Sequence, residues 1–181
     1  MKKTRFDRWP CPVARAVDQV GDAWTLLILR EAFYGLCRFD QFEEALGIGR
    51  NILARRLDRM VEAGLLERVP YQRRPLRHEY RLRPAGRALF PVLMALFRWG
   101  EDWATGPEGP PIAMVDRRTG QPVRPVLVDE ASGLALSPER VRAQPGPGFP
   151  PGLLSEAPVR RRFRLTGAAP QAPRPGRDAT P

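Results

Sequence analysis

The chain contains only two cysteines, a single histidine and no apolar run close to the length of a membrane span. Each scarcity removes a class of protein. Two thiols, Cys11 and Cys37, cannot supply the disulfide framework that staples small secreted domains. One histidine, His78, excludes a His-rich metal site and leaves a His-based catalytic set without a partner. A membrane helix needs roughly 20 consecutive apolar residues, and no basic-then-apolar leader opens the chain. The expectation is a soluble, cytoplasmic, nucleoid-associated protein with no membrane role. No Gly-rich phosphate loop, nucleophile elbow or His–carboxylate spacing is found, so neither an enzyme nor a cofactor is expected.

Arginine is what the sequence has in excess. The 181 residues carry 30 Lys and Arg against 20 Asp and Glu, a net charge of +10, and 28 of the 30 cations are Arg. Nucleic acid is the default anionic partner of such a chain, although a GC-rich genome would produce the same bias. Proline marks the internal boundary, with 6 of the 21 prolines before residue 106 and 15 after it. The predicted organisation is an N-terminal arm (1–8), a helical domain with a small hairpin (9–105), a small β-rich appendage (106–143) and a mostly disordered tail (144–181).

Helical periodicity runs from Cys11 to Trp103 with one interruption. Val13, Ala16, Val17 and Val20 share a helix face, and Gly21-Asp22 breaks that helix. Ala23 to Phe33 is apolar on most sides, as a helix central to a small domain should be. Asp40 to Glu43 has the form of a capping box and predicts a short helix to Leu46. Gly47-Ile48-Gly49 is a turn, followed by a helix with Leu53, Leu57, Met60 and Val61 inward and Gly64 as its stop. Leu65–Pro70 and His78–Leu82 read as strands joined by the basic loop Tyr71–Arg77. A last helix is expected from Pro84, bent near Pro91. Its apolar face is wider than a domain of this size needs, which predicts a homodimer.

This order of elements is that of a winged helix-turn-helix, mainly α with a small β-wing. The second helix of such a pair enters the major groove and presents its N-terminal residues to base edges. Here that is residues 49–63. Arg50, Asn51 and Arg55 are the expected base readers, since Arg pairs with guanine and Asn with adenine. Arg59, two turns further in, and Arg73, Arg74 and Arg77 on the wing are the expected backbone contacts. In an Arg-rich protein they also read as plain solvated side chains.

Particular residues add to this. Cys11-Pro12, the run Gly21-Asp22-Ala23-Trp24-Thr25-Leu26-Leu27-Ile28-Leu29, Gly35, Arg38-Phe39, Gly47-Ile48, Leu53, Arg56-Leu57, Gly64-Leu65, Glu79-Tyr80-Arg81-Leu82 and Gly86 resemble the HxlR-type transcriptional regulators. The resemblance covers about residues 9–103. It implies a dimeric relative of the MarR group that binds double-stranded DNA, with a small-molecule effector of unknown identity as a further partner. The dimer is expected through the first and last helices, with Val13, Val17, Leu89, Leu93, Leu96, Phe97, Trp99 and Trp103 at the interface. It also implies a redox- or electrophile-sensing role for Cys11, against which stands the reading of a small buried hydrophobe. The chain departs from the family at Gly49, where Ser is usual, at Arg83-Pro84-Ala85-Gly86, where Thr-x-x-Gly is usual, and at His78.

After residue 106 the form [ST]-G-x-x-[VL]-x-P occurs at Thr119–Pro125 and again at Ser132–Pro138, and the two turn-plus-strand units predict one small β hairpin. The layout resembles the zinc-ribbon-like appendage of some HxlR-type proteins, with Thr119, Asp129 and Ser132 where thiols would stand, so no metal is expected. The segment Val159–Leu165 reads either as a short strand or as a basic arm. The rival to a DNA-binding regulator is a winged-helix module that binds protein or structured RNA. Such a module would show an apolar or acidic outer face on its recognition helix.

Overall fold

Proline, glycine and a single aspartate set the first two helices. In this computed structural model, which describes residues 5–150 and Gly152, α1 (Pro12–Val20) begins on Pro12, whose missing N–H costs nothing there. Asp22 then caps α2 (Ala23–Phe33), accepting from the Thr25 amide at 3.1 Å and from the Thr25 hydroxyl. The described part of the N-terminal arm folds back on α1, with the Phe6 amide donating to Asp18 at 3.2 Å.

α3 (Phe39–Leu46) starts earlier than the Asp40–Glu43 pattern predicts. Arg38 is its N-cap, and Gln41 accepts from the amides of Arg38 at 2.9 Å and Cys37 at 3.1 Å. Gln41 stands three residues after that cap, where a side chain can reach back to the cap amide, so it does the work expected of Glu43. Gly47, at φ +58°, ends α3 in the left-handed region that favours glycine. α4 (Arg50–Glu62) follows, and its Gly49 N-cap makes no side-chain bond. That is the consequence of glycine standing where serine is usual.

The wing consists of β1 (Leu66–Arg73) and β2 (Leu76–Leu82), paired antiparallel from Leu66–Leu82 to Arg73–Leu76 with a bulge at Tyr71. The predicted seven-residue loop is therefore a two-residue tip, Arg74-Pro75, whose peptide bond is cis. Polar residues signal exposure, and an exposed hairpin can be polar without being a loop. A third short extended segment was invisible in the sequence. Arg38 bridges Glu79, and the Tyr80 amide donates to the Cys37 carbonyl.

The predicted last helix is two helices, α5 (Pro84–Arg87) and α6 (Phe90–Trp103). Pro91 has no N–H to give the carbonyl of Arg87 and its ring would strike it, so the break falls at Ala88-Leu89. α5 lies directly on the start of the wing. A Cβ added to Gly86 would sit 2.2 Å from the Leu65 carbonyl oxygen, a carbonyl that also accepts from the Arg83 amide at 2.9 Å.

The core is built from α2, α3, α4 and the wing: Ile28, Leu29, Phe42, Ile48, Leu53, Leu57, Met60, Leu65, Leu66 and Tyr80. α1 and α6 bury no residue fully. At about 100° per residue, α6 carries two apolar sides. Phe90, Leu93, Met94, Leu96 and Phe97 line a groove shared with α2, where the Phe33 and Phe90 rings meet at a tilt, 5.2 Å apart. Val92, Leu96, Trp99 and Trp103 are exposed, Trp103 to 77%.

The described chain packs as two units that divide between Pro125 and Val126, the first holding all the helices, the wing and the stretch after α6 up to Pro125. In the first unit, Asp116 closes a turn by accepting from the amides of Arg118 at 2.8 Å and Thr119 at 2.9 Å, and Val115 bridges Pro122. In the second, Asp129 accepts from the Ser132 amide at 2.9 Å and hydroxyl at 2.6 Å, and Val128 bridges Ala135. The single hairpin predicted here is thus two separate turns, each closed by its own aspartate. Thr119, Asp129 and Ser132, the places matched to zinc ligands, are turn-forming groups. The segment Val159–Leu165 and most of the 144–181 tail lie outside the described residues.

Candidate nucleic-acid interface

The outer face of α4 follows from its inner one. Leu53, Leu57 and Met60 are buried, which turns Arg50, Asn51, Arg55, Asp58 and Arg59 to solvent. Val61, expected inside, is half-buried at the core's edge.

Three ion pairs tie this helix to its neighbours. Arg50 Nη1 lies 3.1 Å from Glu43 Oε2 on α3, with its guanidinium over the Phe39 ring at 5.1 Å. Arg56 Nε lies 3.2 Å from Asp22 Oδ1, the carboxylate that caps α2. Asp58 pairs with Arg68 of β1, whose guanidinium also sits over Tyr80. Of the expected base readers, Arg50 is therefore engaged within the chain. Arg55 donates only to the Asn51 carbonyl, at 3.2 Å, and among the described residues the Arg55 and Arg59 guanidiniums have no carboxylate partner. The residues sequence reasoning missed are the fixing ones, Arg56 and Arg68. Asp22 carried the one available signal for the first pair, as an acidic residue at a helix start.

The wing is held at its base and open at its tip. Arg38 stacks on Tyr71 at 4.5 Å and lies 3.7 Å from Glu79. Arg81 pairs with Glu79 at 2.9 Å, and that bond, with Arg38 adding to it, holds the Glu79 carboxyl below the usual range. At the tip Arg73, Arg74 and Arg77 are exposed, and among the described residues no carboxylate pairs with them. Between wing and α3, a cleft of about 280 Å³ is lined by Arg50, Tyr71, Arg77 and His78. Half-buried His78 thus sits beside two of the predicted DNA contacts.

The two cysteines are free and partly buried. Cys11 is the N-cap of α1 and makes no side-chain capping bond. Burial and the Glu79 carboxylate push the Cys37 thiol up, only partly offset by Arg38 and Arg81. Of the residues expected at a dimer interface, Val13, Val17, Leu96, Trp99 and Trp103 are exposed, while Leu89, Leu93 and Phe97 are partly buried against their own chain. Among the described residues no helix is long and apolar enough to cross a membrane.

A buried helix pair, an exposed cationic helix and a hairpin with free arginines define a winged helix-turn-helix DNA-binding domain. Residues 19–107 match the model of the HxlR-like helix-turn-helix family. An HTH-type transcriptional regulator of Mycobacterium tuberculosis (strain ATCC 25618 / H37Rv) is 47% identical over 143 residues, 79% of this chain and 90% of the relative. The crystal structure of PA1607, a candidate transcription factor, superimposes with a TM-score of 0.72 at 42% identity, covering 79% of this chain and all of that one. A second candidate transcription factor, from Pseudomonas aeruginosa, gives 0.57 at 40% identity over 84% of this chain and 99% of its own. The chain belongs to the HxlR-like family, and it is a transcriptional regulator with a helix-turn-helix DNA-binding domain. Only 18 residues precede the family match, so the 143-residue likeness runs well into the segment after α6, further than the resemblance read from residues 9–103.

Proposed function

We propose that the chain acts as a homodimer that binds a roughly palindromic operator in double-stranded DNA, with α4 reading the major groove and the wing on the flanking backbone. The observation that carries this reading is the outer face of α4, where Asn51, Arg55 and Arg59 stand exposed and, among the described residues, no carboxylate neutralises the arginines. Asn51 and Arg55 read bases, and Arg50 joins them when DNA displaces Glu43. Arg59, Arg73, Arg74 and Arg77 contact phosphates. Half-sites about 10 bp apart are the geometric expectation for a two-fold pair of such helices.

The exposed side of α6, with Val13 and Val17 of α1, supports the dimer. Tryptophans at 61% and 77% exposure expose apolar area that monomeric soluble proteins rarely leave contiguous. Leu93, Leu96 and Phe97 line the groove beside α2 and, with Leu89, extend the expected interface. The test pairs two measurements on the full chain. Light scattering should give twice the 20.4 kDa chain mass, and Trp99→Ala with Trp103→Ala should return it to the monomer value. Binding to the chain's own promoter region should exceed binding to a scrambled duplex. Equal, steeply salt-dependent binding to both would reduce the interaction to phosphate attraction and sink the operator reading.

A further inference from the structure

We propose that Arg68 serves DNA binding as a positioning residue acting through Asp58. It covers the Asp58 carboxylate on the outer side of α4 and holds it toward the wing, away from the phosphates, a role that rests on the reading of α4 as the helix that enters the major groove.

Helix phase puts Asp58 where an acid is least welcome. At about 100° per residue, Asn51, Arg55 and Asp58 fall within about 60° of arc. The carboxylate therefore shares the side that carries two of the expected base readers. The other acidic residue of α4, Glu62, is its last residue, a turn farther from the end that meets bases. Left uncovered, Asp58 would face a polyanion, and like charges set against each other across an interface weaken binding to any sequence.

The wing supplies the cover. Arg68 of β1 stands directly opposite Tyr80 of β2 in the ladder, so both side chains leave the sheet on the same face. Tyr80 is buried in the core, and the Arg68 guanidinium lies over its ring, 5.7 Å from the centroid. From there Arg68 Nη2 donates to Asp58 Oδ1. Among the described residues this is the ion pair that joins α4 to the wing. The side chains are 40% exposed at Arg68 and 54% at Asp58, a setting in which an ion pair contributes little to folding. Its consequence lies instead on the surface offered to DNA, where covering Asp58 leaves Arg55 and Arg59 as the net charge.

Titration of promoter and scrambled duplexes with the full-length protein tests the role. Arg68→Gln should weaken promoter binding about tenfold. Arg68→Lys, which keeps a cation beside Asp58, should bind within about threefold of the wild type. Asp58→Asn combined with Arg68→Gln should restore affinity to near the wild-type value, because the uncovered carboxylate has gone. A double variant as weak as Arg68→Gln would overturn the proposal, since Arg68 would then contact phosphate itself. Asp58→Asn alone, which leaves Arg68 in place, should bind both duplexes at least as tightly as the wild type. Weaker binding by that variant would mean that Asp58 accepts from a base and would also overturn the proposal. Promoter binding unchanged by Arg68→Gln refutes the proposal and leaves the DNA-binding reading standing. A wild-type chain that binds neither duplex refutes both.

Discussion

Arg56 of the recognition helix lies 3.2 Å from Asp22, the residue that caps the helix before it. One carboxylate thus serves as a helix cap and as the anchor of α4. Both side chains are more than three-quarters buried, so the pair is shielded from salt better than a surface bridge. Asp22→Ala should cost about 1–2 kcal/mol through the cap and more through the stranded guanidinium. Arg56→Gln should cost less. Urea denaturation of both single variants and the double variant measures the coupling, and strict additivity would show that the contact contributes nothing.

Gly86→Ala should be disproportionately damaging for so small a change. The added methyl meets the Leu65 carbonyl at 2.2 Å, so α5 must lift from the wing. A loss of about 1–3 kcal/mol is expected, read as a lower Tm. Unchanged stability would mean that α5 does not pack on Leu65 in solution.

Asn51→Ala and Arg59→Ala should weaken DNA binding in different ways. The first should relax preference at one base position, worth about 1–3 kcal/mol. The second should weaken all sequences alike and lower the salt slope by about 1. Competition between operator and scrambled duplexes across salt concentrations separates the two, and swapped behaviour would mean that the helix phase on DNA is wrong.

The Asp116 and Asp129 turns should open in acid. The Asp116 carboxyl is held below the usual range first by the Thr119 amide, and the Asp129 carboxyl first by the Ser132 hydroxyl. A lowered folded value gives stability that is complete above the unfolded value, about 3.9, and is lost as pH falls through the folded one. Amide shifts of Thr119 and Ser132 should therefore hold at pH near 5 and move only below about 4. Movement near neutrality would contradict the turn bonds.

Cys37 should alkylate slowly. Its thiol is pushed up by burial and by Glu79, and only the thiolate attacks. Iodoacetamide at about pH 8 should modify it more slowly than an unhindered thiol. A faster reaction would place Cys37 in a more exposed, cationic setting than the one described.

What the sequence made legible was local. The bounds of α2 agree between sequence and structure because Asp22 and Tyr34-Gly35 are strong end signals next to a clear apolar run. The outer face of α4 followed from its leucines. What could not be read was contact between segments far apart in the chain: Arg56 with Asp22, Asp58 with Arg68, and the Cys37-Arg38 stretch beside β2, too short to show a period. The wing tip failed for another reason, since an arginine-rich polar run has the same composition in a strand as in a loop. The apolar side chains of the last helix announced a wide stripe, but not that part of it lines a groove against α2.

The paired aspartate turns fail separately. All the hydrogen bonds that close the first lie between residues 114 and 123, and those of the second between 127 and 136. Each closing set is local and thirteen residues from its likeness. Loss of one aspartate therefore removes one set of bonds and leaves the other set intact.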